Sequence, residues 1–244
     1  MHDLDTVQSI LENKGGLLAV DKPSGVSSHT LVNWARKVFG IRKVGHTGTL
    51  DPLASGLLLL LVGRKYTKQQ PKYLKQDKKY LVTAQLGITT DTYDAMGRRV
   101  SEKFWTEIED ITEKAISTAL NSFQGESEQT VPAFSAVKRK GKKMYDLALS
   151  GELSTADLPK RTITILDITL ISVSKDSSAQ EFFVTFSVSC GSGTYVRSLV
   201  HDVGQLLGCG AIVKELRRTR IGSTQITDAT VCPVLPKQYI IHKK

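Results

Sequence analysis

Six apolar residues in a row, Leu57 to Val62, follow Ser55-Gly56 and stop at Gly63. A run that is apolar at every position has no face to offer to water, so it is read as a segment buried on all sides. It is far too short to cross a bilayer, which takes about 20 residues. The chain must therefore cover this segment with other elements of its own. With 244 residues it has the length to do so; a chain of that size buries roughly 70% or more of its unfolded surface without disulfides or a structural metal. The apolar content of 40% is ordinary, and no repeat, long polar tract or linker divides the sequence, so one continuous folded domain is expected. The cysteines Cys190, Cys209 and Cys232 show no metal-binding or disulfide spacing. Met1-His2-Asp3-Leu4-Asp5 lacks the basic-then-apolar order of a secretion signal. A soluble protein of a reducing cytoplasm is the expectation.

Charge narrows the function. Lys and Arg number 33 against 24 Asp and Glu, a net charge of +9. That excess suits a polyanionic partner, because phosphate neutralisation supplies most non-specific affinity for nucleic acid. The cations are unevenly placed, with three clusters at Arg64 to Lys79, Lys138 to Lys143, and Lys214 to Arg220. Tyr66, Tyr73, Tyr80 and Tyr145 are interleaved with the first two, which favours RNA or single strands, whose bases stack on rings. The alternative for each cluster is solvated surface.

The periodicities mix strands and helices. Leu17 to Val20 reads as a strand ended by the turn cluster Asp21-Lys22-Pro23-Ser24-Gly25. Ser28 reads as the N-cap of a helix through Leu31, Trp34, Ala35, Val38 and Phe39, stopped by Gly40. Tyr80 to Leu86 alternates, as do Thr164 to Ser172 and Glu181 to Cys190; Thr112 caps a helix through Ile116, Ala119, Leu120 and Phe123, and Arg197 to Leu207 is helical again. The pattern predicts an α+β fold with a largely antiparallel mixed β-sheet flanked by helices. Within Gly45-His46-Thr47-Gly48-Thr49-Leu50-Asp51-Pro52-Leu53-Ala54-Ser55-Gly56, local rules alone make Asp51-Pro52 a helix start.

That twelve-residue stretch resembles the signature of the TruB-type pseudouridine synthases, and the rest of the chain agrees in order. Asp21 to Gly25 is similar to the family's Lys-Pro motif, Lys79-Tyr80 to its Lys/Arg-Tyr step, and Leu86-Gly87 with Asp91-Thr92 and Asp94 to its Leu-Gly…Asp-Thr segment. Ser135-Ala136, Gly141-Lys142 and Tyr145 match its RNA-binding insertion, and Gly193 to Leu199 and Leu207 to Ala211 its two later motifs. The resemblance implies a pseudouridine synthase fold with a central RNA-binding cleft. It implies a catalytic domain over 1–222, an RNA-binding insertion at about 130–152 and a short tail at 223–244. The reaction it implies turns a specific uridine of tRNA, uridine-55 of the T-loop, into pseudouridine.

Such an isomerisation neither oxidises nor hydrolyses, so no cofactor and no metal are expected, and one carboxylate suffices where a glycosidase uses two. By resemblance that carboxylate is Asp51, acting either as a nucleophile or by removing a sugar proton. Arg197 is its matching arginine, which would lower its pKa and aim it. Tyr80 would stack on the uracil and take part in moving the C5 proton. Tyr195 and Leu216 would line the pocket, His46 would enter the gap left by the extruded base, and Lys22 would support the wall. Lys138, Arg139, Lys140, Lys142 and Lys143 are the candidates for RNA backbone. Ala148-Leu149 and Pro132-Ala133 depart from the family pattern, and the residues after Arg220 are too few for the C-terminal PUA domain of bacterial members. Reliance on the T-arm of tRNA, with no membrane or protein partner and a monomeric state, is the resulting expectation. A tRNA-binding or tRNA-folding protein without catalysis is the alternative, as is a synthase acting on another RNA.

Overall fold

In the computed structural model, which describes residues 8–139, 141–152 and 158–231, the chain forms two compact units. One comprises Met1–Leu81 with Leu216–Lys244, the other Val82–Glu215.

The first unit contains β1 (Gly16–Lys22), α1 (Ser28–Phe39), β2 (Val44–His46) and β3 (Ser55–Val62). The apolar run lies in β3, and all six of its side chains are buried. β1 pairs with it antiparallel from Gly16 against Val62 to Lys22 against Gly56, and β2 pairs with its far end, His46 opposite Leu60. Helix α1 starts one residue earlier than its sequence suggests: Ser27 is the N-cap, accepting from the Thr30 amide at 3.1 Å. Leu31, Val32, Ala35 and Phe39 form the buried stripe, Val38 is exposed, and Gly40 ends the helix at φ 64°. Two short basic helices follow, α2 (Arg64–Thr67) and α3 (Gln70–Leu74), before β4 (Lys78–Leu86), whose side chains alternate inward through Tyr80 and Val82.

The second unit continues with β5 (Ile88–Thr90), β6 (Arg99–Glu102), α4 (Trp105–Ile108) and α5 (Glu113–Asn121). Thr112 caps α5 as its sequence predicts, and the helix buries Ile116, Ala119 and Leu120. Then come β7 (Gly125–Thr130), a hairpin of β8 (Lys138–Arg139) and β9 (Lys142–Lys143), α6 (Met144–Leu149), β10 (Lys160–Asp176), β11 (Glu181–Cys190) and α7 (Val196–Leu206). Residues 82–86 of β4 stand beside β11, followed by β10 and β7, the last two pairings antiparallel. β10 runs beyond the alternating stretch Thr164 to Ser172, because its first residues pair with β7 and its later ones with β11. Ala84, Ile116, Phe186, Val200 and Val203 bury their side chains between this sheet and the helices.

β12 (Ala211–Ile221) leads back into the first unit, which ends with β13 (Thr224–Gln225) and β14 (Thr230–Val231). There β12 meets the start of β3 in parallel, Arg218 opposite Gly56, and β14 pairs parallel with β1. The sheet is therefore mixed and mostly antiparallel, and the class is α+β. Among the described residues no helix is long and apolar enough to cross a membrane.

Candidate active site

Residues 47–54 form no helix despite Asp51-Pro52; they make an irregular loop between β2 and β3. The segment 22–28 holds that loop by its backbone. The Gly25 amide donates to the Pro52 carbonyl at 2.8 Å and the Ser24 hydroxyl to the Leu53 carbonyl at 2.7 Å. Ser28, buried at the start of α1, accepts from the Leu50 amide at 2.8 Å and donates to the Leu50 carbonyl at 2.9 Å. Asp51 thus sits half-buried between residues clamped on both sides. The turn cluster Asp21 to Gly25, read from the sequence as a chain reversal and as the Lys-Pro motif, supplies the Ser24 and Gly25 contacts of this clamp.

Two cations are sealed into this region. Lys22 has no solvent exposure, and its Nζ donates to the carbonyls of Val26 at 2.7 Å, Pro23 at 2.9 Å and Pro52 at 3.4 Å. Burial pushes its ammonium down to about 8; the Asp51 carboxylate pulls it up and Arg218 pushes it further down. Arg218 is 1% exposed, its Nε donating to the Leu57 carbonyl at 2.7 Å and a terminal nitrogen to the Gly48 carbonyl at 3.1 Å. It ties together the two flanks of the Asp51 loop. Sequence reasoning placed Arg218 in a basic cluster suited to phosphate and missed this role, since nothing in the residue type separates a buried arginine from a solvated one. Its neighbour Arg217 is committed to Asp21 through two contacts, at 2.6 and 3.0 Å. Lys78 is also buried, with its ammonium on the Leu74 and Gln76 carbonyls. Lys22, Arg218 and Lys78 therefore belong to the fold rather than to a phosphate-facing surface, while Arg217 stays partly exposed in its ion pair.

His46 lies at the end of β2, where its carbonyl accepts from the Gln70 amide group at 2.7 Å. Burial, then Arg218 and His29, hold its imidazole below the usual range, so the ring is neutral at pH 7. Tyr80 and Leu216 are buried in β4 and β12 of the same unit.

In the second unit Arg197, 4% exposed on α7, is held from three directions. It donates to the Thr92 carbonyl at 2.7 Å and the Phe134 carbonyl at 3.0 Å, and its Nε lies 3.9 Å from the Asp94 carboxylate. Asp94 is itself fixed by the Thr92 hydroxyl at 2.7 Å and the Met96 amide at 3.0 Å. The Asp91-Thr92…Asp94 motif is therefore a cradle for Arg197, built into the turn between β5 and β6. Gly97 closes this turn because a Cβ there would collide with the Thr92 hydroxyl. Tyr195 precedes α7; Gln129 donates to its carbonyl at 3.0 Å and accepts from its amide at 2.8 Å, and Arg161 lies over its ring at 5.3 Å. Lys138, Arg139, Lys142 and Lys143 make the β8–β9 hairpin, with Lys138 and Lys142 exposed; Lys140 lies outside the described residues. Among the described residues, no cluster of His, Cys, Asp or Glu has the makings of a metal site.

The model for the N-terminal domain of TruB family pseudouridylate synthases matches residues 36–196, and that for the tRNA pseudouridylate synthase B C-terminal domain matches 197–243. The chain belongs to the TruB family of pseudouridylate synthases. It is 43% identical over 218 residues to the tRNA pseudouridine synthase B of Chlamydia felis, covering 88% of this chain and 86% of that one. It is 40% identical over 221 residues to the protein of the same name from Protochlamydia amoebophila, covering 90% and 78%. A solved structure of an H/ACA RNP bound to a substrate RNA containing 2'-deoxyuridine aligns with a TM-score of 0.62 at 27% identity; the match covers 89% of this chain and half of that one.

Proposed function

We propose that the chain isomerises uridine-55 in the T-loop of tRNA to pseudouridine, with Asp51 as the catalytic carboxylate. The observation that carries this reading is the loop 47–54: a single half-buried carboxylate, its neighbours Leu50, Pro52 and Leu53 bonded through their backbone, in a chain of the TruB family. Rigid placement of this kind suits a group that must meet one sugar carbon of an extruded nucleotide.

In the reaction the bond from uracil N1 to the sugar C1′ breaks, the ring turns, and C5 bonds the same carbon. The C5 proton leaves and N1 gains one, so atoms balance without water or an oxidant. Asp51 acts as the carboxylate, and Arg197 is the arginine assigned to aim it. Tyr80 offers its ring face to the uracil and its hydroxyl to the C5 proton. Leu216 and Tyr195 line the base site. The neutral ring of His46 takes the place of the extruded base, offsetting an unstacking cost of a few kcal/mol. Lys22 holds the wall through Pro52, and the β8–β9 hairpin offers its lysines to the RNA backbone.

The test is incubation of the purified chain with an unmodified tRNA transcript, followed by mapping of pseudouridine at each uridine. The expected result is one modified position, in the T-loop, for the wild type and none for Asp51→Asn, which still binds the tRNA. Modification elsewhere overturns the T-loop assignment, turnover by Asp51→Asn overturns the carboxylate, and binding without any pseudouridine favours the non-catalytic reading.

A further inference from the structure

Tyr93 sits between the two residues that cradle Arg197, and its backbone is held at φ 61°. Aromatic residues adopt this left-handed conformation only at a cost, and such strain persists where the surroundings enforce it. Here the enforcement is visible. The Tyr93 amide donates to the Thr90 carbonyl at 3.2 Å, and its carbonyl accepts from the Val213 amide at 3.0 Å. Its ring lies flat on His201, centroids 4.0 Å apart and planes 15° from parallel.

His201 stands four residues after Arg197 on α7, so the two share one face of the helix. The turn therefore grips this face twice, through the Thr92 carbonyl on Arg197 and through the Tyr93 ring on His201. Helix α7 does not need the second grip to be anchored: Gln129 and the Ser198 hydroxyl already fasten its start to β7. The buried Nδ1 of His201 has no hydrogen-bond partner, so the stack, not a polar contact at that atom, engages the ring. We propose that Tyr93 is a positioning residue: stacked on His201, it sets the Thr92 carbonyl and the Asp94 carboxylate where they aim the Arg197 guanidinium. This rests on the role given to Arg197 above.

The backbone and the ring can be separated, because glycine adopts φ 61° freely. Tyr93→Gly keeps the turn and deletes the stack, Tyr93→Phe keeps the stack, and His201→Leu removes its other half. Single-turnover rates on unmodified tRNA, tRNA dissociation constants and unfolding midpoints are measured for each beside the wild type. Tyr93→Phe should stay within about twofold of the wild-type rate, while Tyr93→Gly and His201→Leu slow by roughly 10- to 100-fold, the scale of a small misplacement. Binding should hold within about threefold, and the double variant should be no slower than either single one, as for two halves of one contact. A purely structural role would instead lower midpoint, binding and rate together, and that result overturns the proposal. So does a wild-type rate in Tyr93→Gly, or a Tyr93→Phe as slow as Tyr93→Gly. If Tyr93→Gly does not fold, His201→Leu decides, a wild-type rate there overturning the stack. Failure of the wild type itself to make pseudouridine overturns the reading of the site, and this inference with it.

Discussion

Lys22 is an ammonium enclosed by carbonyl oxygens, and enclosure makes it a reporter of its own environment. Its folded-state value near 8 lies below the unfolded value of 10.5. Between those two pH values the unfolded chain holds a proton there that the folded chain has released. Stability from this group therefore rises with pH across the window, and is lost again as pH falls through about 8. The wild-type unfolding free energy minus that of Lys22→Met should climb by about 1.4 kcal/mol per pH unit inside the window. Denaturant titrations at several pH values from 7 to 10.5 check it; a flat difference would place Lys22 in contact with water. At this scale the site was partly legible. Asp51, Lys22 and Arg197 stand out by motif, whereas Ser28 and Arg218 act through backbone carbonyls and amides, which leave no mark on the residue pattern.

Elements show the same division. The alternation of β11 and the stripe of α5 were readable because burial follows a fixed period there, and the run of β3 because burial there is unbroken. β12 was not, because Arg218 occupies one of its inward positions and breaks the apolar alternation. Asp51-Pro52 misled for a different reason. A helix start is a local preference worth about 1 kcal/mol, and the contacts from Ser24, Gly25 and Ser28 outweigh it. The junction of loop and strand is equally exacting. Gly56 holds φ 100°, and a Cβ there would collide with the Arg218 backbone as β12 passes β3. Gly56→Ala should cost roughly 2–6 kcal/mol, combining backbone strain with overpacking. Calorimetric or denaturant unfolding measures this directly, and a loss under about 1 kcal/mol would mean the strands part easily.

For the molecule as a whole, the charge of +9 acts at long range. Arg218 and Lys78 are buried within the fold, so the proposed phosphate contacts fall to exposed cations such as the lysines of α2, α3 and the β8–β9 hairpin. Affinity for tRNA should fall steeply with salt, with a log–log slope of about −0.7 to −0.9 for each phosphate neutralised. Replacing Lys138, Arg139 and Lys140 together by neutral residues should flatten the slope by about one unit or more, as filter binding across a salt series would read. An unchanged slope would assign the hairpin to solvated surface.

The first unit is assembled from the two ends of the chain, and this has a consequence for its birth on the ribosome. The carbonyls of Gly48 and Leu57 find their guanidinium partner 170 and 161 residues later. At a synthesis rate of roughly 5–20 residues per second, the loop bearing Asp51 waits on the order of ten to thirty seconds for Arg218 to be made. Throughout that interval the six-residue apolar strand exists without the neighbour that completes it. The loop bearing Asp51 thus lacks its buried guanidinium until Arg218 emerges, and until then the apolar strand is a segment in need of shelter from other chains.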